Sequence, residues 1–214
     1  MVIGETFAYG HIPKTGGDAV HAWLSLIGGL VVDAIGEAHK HQFFEDRGIR
    51  KDLYVLSIRR LPSWALSYLH ELSIHPASAR AYGLPPGDTV RPEHAFRLRP
   101  DDYLRRHQAG GRTIGKWLRM EHLFDDVVDF IGRHIRPVTP QLRERLAAMP
   151  TKPGRTYDRT IHTFFTPDQI AALYAKFPVW AAVEAKVYGG LLRQSDLSSD
   201  LPAPPAPDLA PPAP

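Results

Sequence analysis

Lys14, Thr15, Gly16 and Gly17 stand between an apolar and aromatic run (residues 1–9) and a segment (18–26) whose apolar side chains recur at helical spacing. A strand, a short loop and a helix start in that order can bind an anion. The first N–H groups of a helix have no intrahelical acceptor and carry the positive end of its macrodipole. Two glycines let the chain turn tightly and let a phosphate reach the backbone donors of Gly16 to Asp18 without meeting a Cβ. Lys14 adds a mobile positive charge and Thr15 a hydroxyl donor. The pattern is neither GxxxxGK[ST], because the lysine precedes the glycine pair, nor GxGxxG.

The same logic recurs about forty residues on. Residues 52–58 are a near-continuous apolar run, the signature of a strand buried on both faces. The run ends in Arg59-Arg60-Leu61-Pro62, and residues 63–72 read as a helix, with Pro62 in its start or Ser63 as a local cap. Between these two stations, Gly28-Gly29 breaks the chain and residues 30–35 read as a further strand, followed by His39 and His41. Strand, helix, strand in this order predicts a parallel sheet with crossover helices. Ligands of such sheets gather beyond the carboxyl ends of the strands, which is where the two histidines fall. Histidine titrates near neutral pH and suits a general base.

The heptapeptide HIPKTGG, residues 11–17, resembles the 5′-phosphosulfate-binding loop of the sulfotransferases that use 3′-phosphoadenosine 5′-phosphosulfate (PAPS), in the form seen in the carbohydrate branch and its bacterial relatives. Pro13, Lys14, Thr15, Gly16, Gly17 and Asp18 are then the 5′ side of the nucleotide site. Arg59 with Ser67, eight residues apart, resembles the family's 3′-phosphate motif, although Arg60-Leu61 stands where the common form has Asp or Asn followed directly by Pro. The resemblance makes His41 the first choice of base and His39 the second, with Lys14 stabilising the leaving phosphate. It assigns the adenine-covering loop to residues 151–159, where Lys152, Arg155 and Tyr157 are candidates. The segment WLRMEHLFDDVVDFI also resembles the family, as a strand and helix that complete the sheet. Asp18 replaces the usual Thr or Ser, and its carboxylate favours the helix dipole but repels a phosphate.

The implied fold is α/β, P-loop-like, three layers with a central parallel sheet flanked by helices. The implied reaction moves a sulfuryl group from PAPS to a hydroxyl acceptor, a carbohydrate or anionic glycan or a small molecule, without a metal. Two other readings stay open: a catalytically impaired relative that binds a nucleotide or glycan, and a small-molecule kinase, which the lack of a Walker loop disfavours.

Several elements must position these groups. Residues 73–100 are rich in Pro, Gly, His and Arg without a stable period and read as a lid or acceptor loop, where Arg80, Arg91, His94, Arg97 and Arg99 could meet an anionic acceptor. A short helix is predicted over 99–107, a strand over 113–120, and helices over 122–131 and 141–149. One long amphipathic helix is predicted over 168–188, capped by Thr166 and ended by Gly189-Gly190.

The 214 residues fit one domain (1–194) and a Pro/Ala-rich tail (195–214) that cannot bury enough apolar surface to fold. A formal charge of +3, with no basic stripe interleaved with aromatics, gives no reason to expect nucleic acid. The chain has no cysteine, so disulfides and thiolate metal sites are excluded. No apolar run nears the roughly 20 residues that span a bilayer, and no leader pattern opens the chain, so no membrane partner and a cytoplasmic location are expected.

Overall fold

The computed structural model describes residues 1–32, 42–84, 90–150, 157–193 and 196. His39, His41, Lys152, Arg155 and the 195–214 tail, Asp196 apart, lie outside the described residues.

Five strands form one sheet: β1 (Val2–Ile3), β2 (Phe7–His11), β3 (Val31–Val32), β4 (Leu53–Ile58) and β5 (Ile114–Arg119), in the order β3-β1-β2-β4-β5. β2, β4 and β5 pair in parallel, whereas β1 is antiparallel to both β2 and β3. Four strands therefore share one direction and β1 opposes them. This corrects two expectations. Residues 1–9 are not one strand but the start of a hairpin, in which Gly4 N–H donates to Phe7 O at 3.0 Å. Nor is the sheet wholly parallel, because this hairpin inserts β1 between β2 and β3.

Alternation along the strands buries both faces of the sheet. Phe7, Tyr9, Val55 and Leu118 face α1 (Gly17–Ser25), α5 (Leu123–His134) and α6 (Pro140–Ala147), where Val20, Leu24, Phe130 and Leu146 close the core. Ala8, Leu56 and Ile114 face the other way, against Phe44 and Ile49. A larger core gathers around α2 (Leu61–Ser73) and takes in Ile12 and Ile58, just after β2 and at the end of β4.

Residues 73–100 are not an open lid over their described length. They form α3 (Pro76–Ala81) and a 3-10 turn (Pro92–Arg97), and Ala79, Leu84, Ala95 and Leu98 are buried in the α2 core. Apolar anchors spaced among the prolines did this without giving a helical period. The helix predicted over 99–107 is α4 (Pro100–Gln108), and α7 (Ile161–Phe164) follows later.

The long helix predicted over 168–188 is two helices, α8 (Pro167–Lys176) and α9 (Pro178–Tyr188). Pro178 lacks an N–H and its ring displaces the preceding turn, so the helix must break at Phe177. Thr166 caps α8 through a reciprocal capping box with Gln169, and Gly189, at φ +76°, ends α9.

At the end of β5, Asp126 accepts from the Arg119 backbone N–H at 2.7 Å and from its guanidinium at 2.7 and 3.0 Å. Burial alone would raise the Asp126 carboxyl, but these hydrogen bonds and the attraction of Arg119 and Lys116 hold it below its usual value of 3.8. A carboxyl depressed on folding adds stability above its unfolded pKa and loses it as pH falls through the folded one. Urea titrations between about pH 5 and pH 2.5 should therefore show a smaller loss of midpoint in Asp126→Asn than in the wild type; equal losses would remove this pair from the acid limb.

Candidate functional site

The parallel register sets the site. His11 pairs with Ser57, so β2 and β4 end side by side and the loops that follow them leave from one sheet edge. Tyr9 and Ser57 tie the two strands together through a buried hydroxyl contact of 2.6 Å. Lys14 stands three residues past His11 and Arg59 two past Ser57, so both cations belong to the same edge.

The first loop is held from within and from α2. Thr15 is fully buried, and its hydroxyl donates to Ile12 O at 2.7 Å, closing the turn rather than offering a donor to a ligand. Lys14 is left-handed at φ +67°, the one non-glycine with positive φ among the described residues. Such a conformation costs of order 1 kcal/mol and persists only where neighbours impose it. Here Trp64 Nε1 of α2 donates to Pro13 O at 2.8 Å, and Lys14 Nζ pairs with Glu71 Oε2 at 3.1 Å.

Gly16, at φ +83°, is the N-cap of α1 and brings no side-chain acceptor to the first-turn donors. Some other helix starts are filled: Thr139 and Thr166 cap α6 and α8, and the Asp101 carboxylate accepts from Val179 and Trp180 N–H at the head of α9. Gly16 is required by its left-handed φ and Gly17 by space. A Cβ on Gly16 would lie 2.4 Å from Leu123 Cδ2 and 2.6 Å from Met120 Sδ, and one on Gly17 would lie 2.1 Å from the His11 ring. Asp18 is exposed on the first turn of α1.

The second station differs from expectation. The start of α2 is not an open anion site, because Glu184 of α9, fully buried, accepts from Leu61 N–H at 2.7 Å, from the Tyr174 hydroxyl at 2.7 Å and from Arg60 Nη1 at 3.2 Å. Burial pushes the Glu184 carboxyl up, against these three hydrogen bonds. Arg60 also donates to Gly190 O at 2.7 Å and stacks on Tyr188 at 4.3 Å, so its charge is spent within the fold. The helix begins at Leu61 with Arg60 as N-cap, which puts Ser63 inside it rather than at a cap. A carboxylate 124 residues downstream of Arg60 in sequence had no local signal.

Arg59 is the cation that remains. Its guanidinium enters no ion pair among the described residues, and its Nε is enclosed without a hydrogen-bond acceptor. Ser67, on α2, is 4% exposed, and its hydroxyl makes no hydrogen bond among the described residues. An enclosed unsatisfied guanidinium N–H is costly and suits an anion that would accept from it.

Tyr157 stacks on His70 of α2, ring centroids 4.3 Å apart, and burial lowers the His70 imidazole below its usual value. Tyr68, one turn before Glu71, joins the hydroxyls of Tyr82 and Tyr103 at 3.2 and 2.9 Å. Burial raises Tyr68 and Tyr103, so they act as neutral donors. Of the expected acceptor arginines, Arg80, Arg91, Arg97 and Arg99 are exposed, and Arg97 donates to Gly83 O. The concave wall between α2 and the described part of 73–100 is mostly apolar, with Leu69, Leu72, Leu84 and Val90 beside His94.

No group of three or more His, Asp or Glu side chains is arranged to hold a metal among the described residues, and no described helix is long and apolar enough to cross a membrane. The chain matches no family model, no curated protein and no solved structure.

The Gly17 contact yields a direct test of the loop. Gly17→Ala forces the His11 ring aside and should cost about 1–3 kcal/mol in urea unfolding. A change below about 0.5 kcal/mol, the range of a neutral surface substitution, would show that the ring does not rest on this glycine.

Proposed function

We propose that this chain is a PAPS-dependent sulfotransferase of P-loop-like fold, transferring a sulfuryl group to a hydroxyl acceptor. The observation that carries the reading is the parallel β2–β4 register, which starts the loop of Lys14 with its uncapped helix and that of Arg59, whose Nε is enclosed and unsatisfied, from one sheet edge. Two anion-binding stations on one edge suit a nucleotide with phosphates at both ends.

The residues fit such a group. Gly16 and Gly17 keep the turn at the start of α1 bare of side chains, and Arg59 Nε lacks an acceptor. Lys14 and the backbone donors of Gly16 to Asp18 would hold the 5′-phosphate and stabilise the charge that develops there as the sulfuryl group leaves. Arg59 and the Ser67 hydroxyl would hold the 3′-phosphate. Arg60, committed to Glu184, leaves that task to Arg59. Sulfuryl transfer then demands what phosphoryl transfer does: an in-line donor, stabilised charge and a base for the acceptor proton. Tyr157, and Arg155 beside it in sequence, stay candidates for the adenine side, and His41 and His39 are the bases that the resemblance implies.

A second reading, a binder without transfer, is favoured by two observations: Lys14 is already paired with Glu71, and Asp18 lies on the first turn of α1. Calorimetry and transfer together separate the readings. The wild type should bind 3′-phosphoadenosine 5′-phosphate more tightly than ATP with magnesium, and Lys14→Ala should weaken that binding by roughly 10- to 100-fold, the loss of charge-assisted hydrogen bonds. Tighter binding of ATP would reject the proposal. Radiolabelled sulfate should pass from PAPS to a member of a hydroxyl panel; binding without any transfer would favour the second reading.

A further inference from the structure

Trp64, Ser67, Tyr68 and Glu71 recur along one face of α2 at helical spacing. That face meets the first loop at both ends, through Trp64 on Pro13 O and Glu71 on Lys14. Glu71 is held on two sides: Oε2 lies 3.1 Å from Lys14 Nζ and Oε1 lies 3.0 Å from His75 Nε2. The side chains of Lys14, Glu71 and His75 are 27%, 28% and 51% exposed, so the group opens to the surface rather than into the core.

A fixed carboxylate in this position is a poor partner for the reaction. With both groups charged, the Lys14–Glu71 pair has no net charge, and an anion reaching the ammonium meets the carboxylate as well. The conflict disappears if Glu71 takes up a proton during transfer. The nearby tyrosine hydroxyls, raised by burial, are unsuited to that task.

We propose that Glu71, in place of the His41 and His39 that the resemblance implies, is the general base for the acceptor hydroxyl, an inference that rests on the sulfotransferase reading. Glu71 accepts the hydroxyl proton while the acceptor oxygen forms its bond to sulfur. The bond from sulfur to the bridging oxygen breaks, and its electron pair stays on the 5′-phosphate. The products are a sulfate ester, 3′-phosphoadenosine 5′-phosphate and a protonated Glu71. Neutralising Glu71 frees the charge of Lys14 for the leaving phosphate in the same step in which that phosphate becomes more negative. His75, on the other carboxylate oxygen and half exposed, then passes the proton to water.

The test uses the full chain, with calorimetry of 3′-phosphoadenosine 5′-phosphate beside sulfuryl transfer from PAPS to a hydroxyl panel. Glu71→Gln should keep or gain nucleotide affinity, because a negative charge beside Lys14 is gone, while transfer falls about 100-fold or more, the range for a lost general base. Glu71→Ala should regain part of its transfer in formate, which supplies a carboxylate to the vacated space. Transfer in Glu71→Gln within threefold of the wild type would make Glu71 a counterion only and overturn the assignment. Parallel loss of binding and transfer, without formate rescue, would overturn it too. Failure of the wild type to bind the nucleotide would instead sink the sulfotransferase reading, and this inference with it.

Discussion

The parallel pairing of β2 with β4 is the constraint on which the other features depend. It fixes where two loops begin, and everything proposed for the site follows from their sharing an edge. Side-chain burial holds that register, since a slip of one residue would send Tyr9 and Val55 to the wrong face. The buried Tyr9–Ser57 contact adds a polar lock at the strand ends, where the register matters most.

From that edge the molecule treats its helix starts unequally. α2 and α9 are closed by carboxylates brought from far along the chain, Glu184 and Asp101, while α1 is left to a glycine. Glu184 links α9 to the end of β4 and commits Arg60, and Trp180 Nε1 holds Arg59 O at 3.1 Å. The C-terminal helices thus brace the second loop and leave one guanidinium unspent. The proposed anion site draws on that division of labour between two adjacent arginines.

Much of this was legible in the sequence where the signal was local. The apolar run of 52–58, the glycine pair before α1, the cap at Thr166 and the stop at Gly189 each state their structure within a few residues. The hairpin at the N-terminus was hidden because its first strand has only two residues. Pro178 breaks the helix while the apolar pattern runs on across it. The described part of 73–100 packs without a sequence signal because its anchors follow tertiary contacts and no helical period. For the site, Lys14, Gly16, Gly17 and Arg59 announce themselves by type and spacing. Glu71 does not, since it is one polar residue among several on α2 and its partner lies 57 residues away in sequence. Thr15 carried a plausible label for the wrong reason: its hydroxyl closes the loop.

The central claim is that the two loops hold opposite ends of one bisphosphorylated adenosine, and a comparison of two nucleotides tests it most directly. Calorimetry of AMP and 3′-phosphoadenosine 5′-phosphate against wild type, Lys14→Ala and Arg59→Ala separates the ends. The account predicts that Lys14→Ala weakens both nucleotides, whereas Arg59→Ala weakens only the one bearing a 3′-phosphate and so erases the preference for it. Equal effects of Arg59→Ala on both nucleotides, or none on either, would contradict the account.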